Sequence, residues 1–409
     1  AAQQFTLKNG IQLIVQPDRR APTAVHMVWV RVGAVDEVDG TSGVAHALEH
    51  MMFKGSRRLQ PGEFSRRVAA LGGQENAFTS RDYTGYYQQI PASRLQDVMR
   101  LEADRFAHNQ WPDAEFTKEI EVIKEERRMR TEDNPRALLM EQLYAASYVA
   151  FPYHRPIIGW MGDLDTLTPD DVRAFHRQWY VPGNAVVVVV GDVQVAQVRT
   201  WAEKYYGSIP ARALPVRKPR PEPVQRGIRR VEVKAPAEQA YVLIGQLGIA
   251  RRDPDFLALL VGNHILGGGG LVSRLAEEVR EKRGLSYSVH SDFSPGLNVG
   301  GFVIALQTRP DQAEQALQVA QQTLARYVQN GPTEAELQAA KDNLIGGFAL
   351  RIDSNRKLLG NVSNIAWNGL PLDYLAHWTQ RVQALTVAEV RAALQRHLQP
   401  GRMATVIVG

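Results

Sequence analysis

Two stretches of the chain, 218 positions apart, read as copies of each other. LTPDDVRAFHRQWYVPGNAVVVVVG (167–191) aligns without a gap on LTVAEVRAALQRHLQPGRMATVIVG (385–409), with 10 identities in 25 positions, among them Leu167/Leu385, Val172/Val390, Pro182/Pro400 and Gly191/Gly409. One residue off that register, GIQLIV from Gly10 finds GIRRVEV from Gly227. A chain of 409 residues that repeats at about half its length is expected to fold as two copies of one unit rather than around a single core. Each copy reads as a strand pair, a helix, further strands, a helix pair, then a helix and a terminal strand. That mixture predicts an α+β fold, with helices packed on one face of a mostly antiparallel sheet. Between the copies, IPARALPVRKPRPEPVQR (209–226) holds five prolines and reads as an extended linker, dividing the chain into 1–208 and 227–409.

The first copy contains SGVAHALEHMMFKG, in which His46, Glu49 and His50 interrupt an apolar run free of helix breakers. On a helix turning about 100° per residue, the two histidines lie about 40° apart on one face, with Glu49 about 60° to the side. Two imidazoles at i and i+4 can share one zinc ion, which then needs a third protein ligand and an open position. The chain has no cysteine, so any such site must use His, Asp and Glu. DAEFTKEIEVIKEERRMR (113–130) reads as a helix offering Glu119, Glu121, Glu125 and Glu126. Glu119 and Glu126 share a face but stand about 10.5 Å apart along the axis, so both cannot ligate one ion. On residues alone, the alternatives are a charged surface helix and a core helix with ordinary histidines. The 218-position shift carries His46 onto His264 and turns HALEH into HILGG, so any site belongs to the first half.

Composition narrows the function from the other side. A formal charge of +5 with both signs interspersed does not indicate a nucleic-acid partner. The longest aliphatic run, AVVVVV, is too short to span a bilayer, so no membrane insertion is expected. ILGGGGLVSRL lacks the Gly-Lys-Ser/Thr ending of a phosphate loop, which excludes nucleotide binding there. The opening AAQQFTLKNG fits a processed, exported chain, periplasmic in a bacterium, with a cytoplasmic origin left open.

HALEHMMFKGS, GGQENAFTSRDYTGYY, EVIKEERRM and REKRGLSYSV, in this order, resemble the pitrilysin and insulysin family of zinc metallopeptidases, whose inverted motif HALEH matches. In size the chain is similar to the small two-domain bacterial members and to mitochondrial processing peptidase subunits. The resemblance implies one zinc ion per chain held by His46, His50 and Glu126, with Glu49 as general base and Glu119 supporting the site from outside the ligand set. It implies that Arg280 and Tyr287, from the second half, bind substrate backbone or the tetrahedral intermediate. It also implies that Asn76, Ala77 and Phe78 pair with an extended peptide through a strand edge. Family members enclose substrate in a chamber of four such domains, which predicts a homodimer here, with Arg280 and Tyr287 of one subunit reaching the zinc of the other. A heterodimer with a metal-free homologue stays open. The expected substrates are oligopeptides or unfolded polypeptides; the rival readings are a processing peptidase needing a partner subunit and a non-catalytic scaffold subunit.

Overall fold

The computed structural model describes residues 2–217, 221–233, 238–270, 272–295 and 298–409. The first half builds a six-stranded sheet from β1 (Gln3–Thr6), β2 (Gln12–Pro17), β3 (Thr23–Val30), β4 (Gln74–Thr79), β5 (Thr84–Pro91) and β6 (Ala185–Gly191), in the order β1-β2-β6-β3-β5-β4. The second builds a five-stranded sheet from β7 (Arg229–Val233), β8 (Ala240–Leu247), β9 (Ser288–Ser294), β10 (Gly301–Thr308) and β11 (Ala404–Val408), in the order β7-β11-β8-β10-β9. Removing β1 makes the two orders identical, position for position. In each sheet one pair is parallel, β2 with β6 and β7 with β11, and the remaining pairs are antiparallel. The duplicated α+β architecture expected from the sequence is therefore present.

Each half packs helices on one face of its sheet, and the opposite face is covered by a helix from the other half. Helix Asn355–Trp367 sets Leu359, Val362 and Trp367 against Val25, Met27 and Trp29 of β3 and Val186, Val188 and Val190 of β6. Reciprocally, helix Pro135–Ser147 places Leu139 and Leu143 against Leu243 of β8, Val303 of β10 and Val406 of β11. This exchange explains why β6 is an unbroken valine run. Val187 and Val189 face the first half's own helices while Val186, Val188 and Val190 meet the borrowed helix, so neither face tolerates polarity. Burying Leu359 and Val362 contributes roughly 1.5–3 kcal/mol each.

The linker contains no regular structure among its described residues, and its positions 218–220 lie outside them. It is nonetheless tied down. Arg217 pairs with buried Asp36 at 2.8 Å and lies over the Trp179 ring, and the Glu222 carboxylate accepts the N–H groups of Val149, Ala150 and Phe151 at 2.5, 3.0 and 2.9 Å. No helix among the described residues is long and apolar enough to cross a membrane.

Helix Pro169–Trp179 supports the helix carrying HALEH and contains a buried histidine. His176 donates from Nε2 to the Phe106 carbonyl at 2.9 Å, and burial pushes its pKa down to about 4. A group whose folded pKa lies below its unfolded value of about 6.5 contributes stability that is present above that value and lost as pH falls towards 4. Between pH 7 and pH 4 the parent is expected to lose on the order of 3 kcal/mol more stability than His176→Gln. Urea unfolding at stepped pH measures this, and equal acid slopes for the two chains would contradict it.

Candidate metal centre

The motif helix runs from Val44 to Met51. Val44, Ala45, Ala47, Leu48 and Met51 are buried in the first half's core, which leaves His46, Glu49 and His50 on a half-buried face. Opposite lies the glutamate helix, Asp113–Arg127, anchored by buried Phe116, Ile120 and Ile123. Its last turn loosens into a π-helical segment, Arg128–Glu132. The seven-residue spacing puts Glu119 and Glu126 on the same face, both towards the motif helix. Glu121 and Glu125 point elsewhere and pair with Lys124 and Arg128.

His46 Nε2 and His50 Nε2 face each other at 3.3 Å. The Glu126 carboxylate lies 3.8 Å from His46 Nε2 through one oxygen and 3.4 Å from His50 Nε2 through the other. A tetrahedral zinc with bonds of about 2.0–2.1 Å separates its ligand atoms by about 3.3 Å, so this two-imidazole, one-carboxylate set fits that ion in chemistry and spacing. Glu119 stands one shell further out: its carboxylate holds His50 Nδ1 at 2.8 Å and receives Lys54 Nζ at 3.1 Å. That bond fixes the His50 tautomer with Nε2 turned towards Glu126. His46 Nδ1, buried, has no hydrogen-bond partner among the described residues.

Charge follows the same geometry. Burial pushes His46 down to about 4, aided by the charge of His50. Burial also opposes the charged form of His50, but its bonds to Glu119 and Glu126 outweigh this and raise it to about 9. The hydrogen bond with His50 is the main cause holding both Glu119 and Glu126 below the usual carboxylate range. Glu49 belongs to no such pair. Its carboxylate accepts the Thr79 hydroxyl at 2.7 Å, and burial raises its pKa, as suits a base that must hold a proton.

Thr79 closes β4, an edge strand, so the metal cluster adjoins an unpaired strand edge. Along β4, Ala77 and Thr79 face the motif helix, whereas Phe78 turns to the other face and packs edge-on against Tyr83 and tilted against Tyr87. Asn76 is exposed, and its side-chain oxygen caps the Ala77 N–H at 2.8 Å. Arg280 and Tyr287 are not brought to the cluster. Arg280 lies in the last turn of a π-helical segment, Ala276–Glu281, and Tyr287 precedes β9 with 60% of its surface exposed; among the described residues neither bonds to the cluster. His264, the second-half counterpart of His46, begins the π-helical turn His264–Gly268 without a partner glutamate or histidine in it. Asp253, Asp255 and His397 also converge, but Arg396 forms a two-pronged ion pair with Asp255 at 2.8 and 3.0 Å, making this a surface ion-pair cluster. Sequence reasoning passed over Thr79 and Lys54. Thr79 sits two residues from Ala77 on one face of an alternating strand, and that parity was the available signal.

A repeated α+β unit whose first copy alone, among the described residues, gathers two histidines and a glutamate is the architecture of a two-domain metallopeptidase. Residues 13–160 match the insulinase family, peptidase family M16, and residues 166–344 match the peptidase M16 inactive domain. The chain belongs to peptidase family M16. It is 31% identical over 363 residues to the uncharacterized zinc protease YmxG of Bacillus subtilis, covering 88% of this chain and 87% of that protein. It is 32% identical over 390 residues to the zinc protease PqqE of Helicobacter pylori, covering 94% and 85%. The crystal structure of a peptidase M16 inactive domain from Pseudomonas fluorescens superposes with a TM-score of 0.93 at 28% identity, covering 100% of this chain and 98% of that one.

Proposed function

We propose that the chain is a zinc-dependent endopeptidase acting on short or unfolded peptides. The observation that carries this reading is the convergence of His46, His50 and Glu126 beside a strand edge, with Glu49 held just outside the set by Thr79. His46, His50 and Glu126 would hold zinc, which supplies Lewis acidity that acidifies water and polarises the scissile carbonyl. Glu49 accepts the proton of the attacking water and delivers it to the leaving amine. Lys54 and Glu119 keep the His50 ring from rotating out of position. β4 offers main-chain donors and acceptors to an extended substrate, so affinity depends little on sequence and folded proteins are excluded. An intact cluster supports a peptidase over a scaffold subunit.

The test is incubation of the purified chain with zinc and an unfolded peptide of about 20 residues, read by mass spectrometry. Cleavage that stops on chelation and returns with zinc is the expected outcome; absence of cleavage in zinc-loaded protein would overturn it. The proposed homodimer places Arg280 and Tyr287 of one subunit at the zinc of the other, and their exposure supports this. A chain carrying Arg280→Ala and Tyr287→Phe, mixed with a Glu49→Gln chain, is then expected to regain about a quarter of parental activity, since half the dimers hold one complete site. No gain on mixing would mean the pair acts within its own chain or not at all.

A further inference from the structure

The motif helix starts in an unusual way. Its cap residue is Gly43, at a φ of 89°, where a Cβ would stand 2.4 Å from the Ile158 carbonyl oxygen. A Cβ on Gly159, at a φ of 93°, would likewise stand 2.4 Å from the Ser42 carbonyl oxygen. Two backbones cross here at a distance that only glycine permits. The usual Ser, Thr, Asp or Asn cap is thereby excluded, and the first N–H groups of the helix need another acceptor.

Glu37 supplies it from outside the helix. Its carboxylate, on a residue only 4% exposed, accepts the Gly43 N–H at 3.0 Å and the Ala45 N–H at 2.8 Å. The segment that crosses Gly43 is fastened around the same point. Asp163 Oδ2 takes both the N–H of Ser42, at 3.3 Å, and its hydroxyl, at 2.5 Å, while Ser42 Oγ accepts the Trp160 N–H at 2.9 Å. Arg155 joins the Glu37 carbonyl to Asp39. The two residues that Glu37 holds, Gly43 and Ala45, lie three and one before His46, and a helix of eight residues passes any displacement at its start directly to both imidazoles. A fold that needed only a helix cap there could use a side chain on the cap residue itself. The glycine crossing gives that up and sets the helix against the 155–163 segment.

We infer that Glu37 is a positioning residue of the metal centre: by closing the start of the motif helix against the crossing segment, it sets where His46 and His50 present Nε2 and so sets zinc affinity. The inference rests on His46, His50 and Glu126 being the ligands. The test is zinc competition against a chromophoric chelator, together with the visible absorption of the cobalt-loaded chain, for the parent, Glu37→Gln and Glu37→Asp. The control is Tyr327→Phe, which removes a buried hydrogen bond to the Gly262 carbonyl in the second half. Glu37→Gln is expected to bind zinc at least about tenfold more weakly, the scale of losing an outer-shell partner, and to shift the cobalt bands. The control is expected to lose thermal stability while keeping parental affinity and bands. Should Glu37→Gln fail to fold, Glu37→Asp, which keeps the carboxyl group and shortens the reach, is expected to show the same weakening. Parental zinc affinity and cobalt bands in a folded Glu37 variant would overturn the inference and leave Glu37 a fold residue only. A parent that binds no zinc would instead refute the ligand assignment.

Discussion

Glu49→Gln is expected to retain zinc and to lose peptide hydrolysis by about 10³–10⁴-fold. The two halves of that result follow from where the side chain sits. Glu49 lies outside the His46, His50 and Glu126 cluster, so replacing it removes none of the proposed ligands. Its carboxylate is held by the Thr79 hydroxyl at 2.7 Å, a bond that a glutamine carbonyl can also accept, so the side chain keeps its place. The amide cannot take up a proton, and that is the function removed. Zinc content after dialysis and kcat on the unfolded peptide measure the two halves separately. Loss of both together would make Glu49 part of the ligand set, and activity within about tenfold of the parent would transfer the base role to another group.

The second large effect distinguishes the two glutamates of the glutamate helix. Glu119→Gln removes a partner that orients His50 and is expected to weaken zinc binding by about 10–100-fold. Glu126→Ala removes a proposed ligand and is expected to cost more than that upper figure, with hydrolysis lost at any practical zinc concentration. Thermal stability gives a second readout. Zinc at about 100 times its dissociation constant stabilises the parent by about 2.7 kcal/mol, and this increment should vanish in Glu126→Ala but survive, reduced, in Glu119→Gln. The reverse ranking would move the ligand role seven residues up the helix. The separations already favour Glu126, since Glu119 meets His50 at Nδ1, on the ring edge away from His46, whereas Glu126 approaches Nε2 of both rings.

What was legible in the sequence depended on how local each signal was. His46, Glu49 and His50 lie within one and a half turns of helix, so their common face follows from helical geometry alone. Glu126 is 76 positions beyond His50, and no spacing rule reaches that far; only the family resemblance selected it from four glutamates. Thr79 and Lys54 are single polar residues whose importance comes from what folds next to them. The repeat was visible because its best-preserved segment, helix Pro169–Trp179 followed by β6, forms the core of each half and reappears as helix Val387–His397 followed by β11. The exchange of helices between halves was less accessible, since an amphipathic helix declares that one face is buried but not in which partner. A trace of it was nevertheless present. AVVVVV is not the alternating pattern of a sheet with one solvated face, and its continuity required a cover for the second face.

That exchange also bears on how such a chain could arise. Two half-length chains lending each other one helix would form a closed, domain-swapped pair, each copy complete only in the presence of its twin. Joining the pair end to end through a tethered linker yields the present molecule without rebuilding either core. In the united molecule the two-histidine, one-glutamate cluster lies, among the described residues, in the first copy alone. The second copy, with HILGG where the first has HALEH, still lends the helix Asn355–Trp367 that covers its sister's sheet.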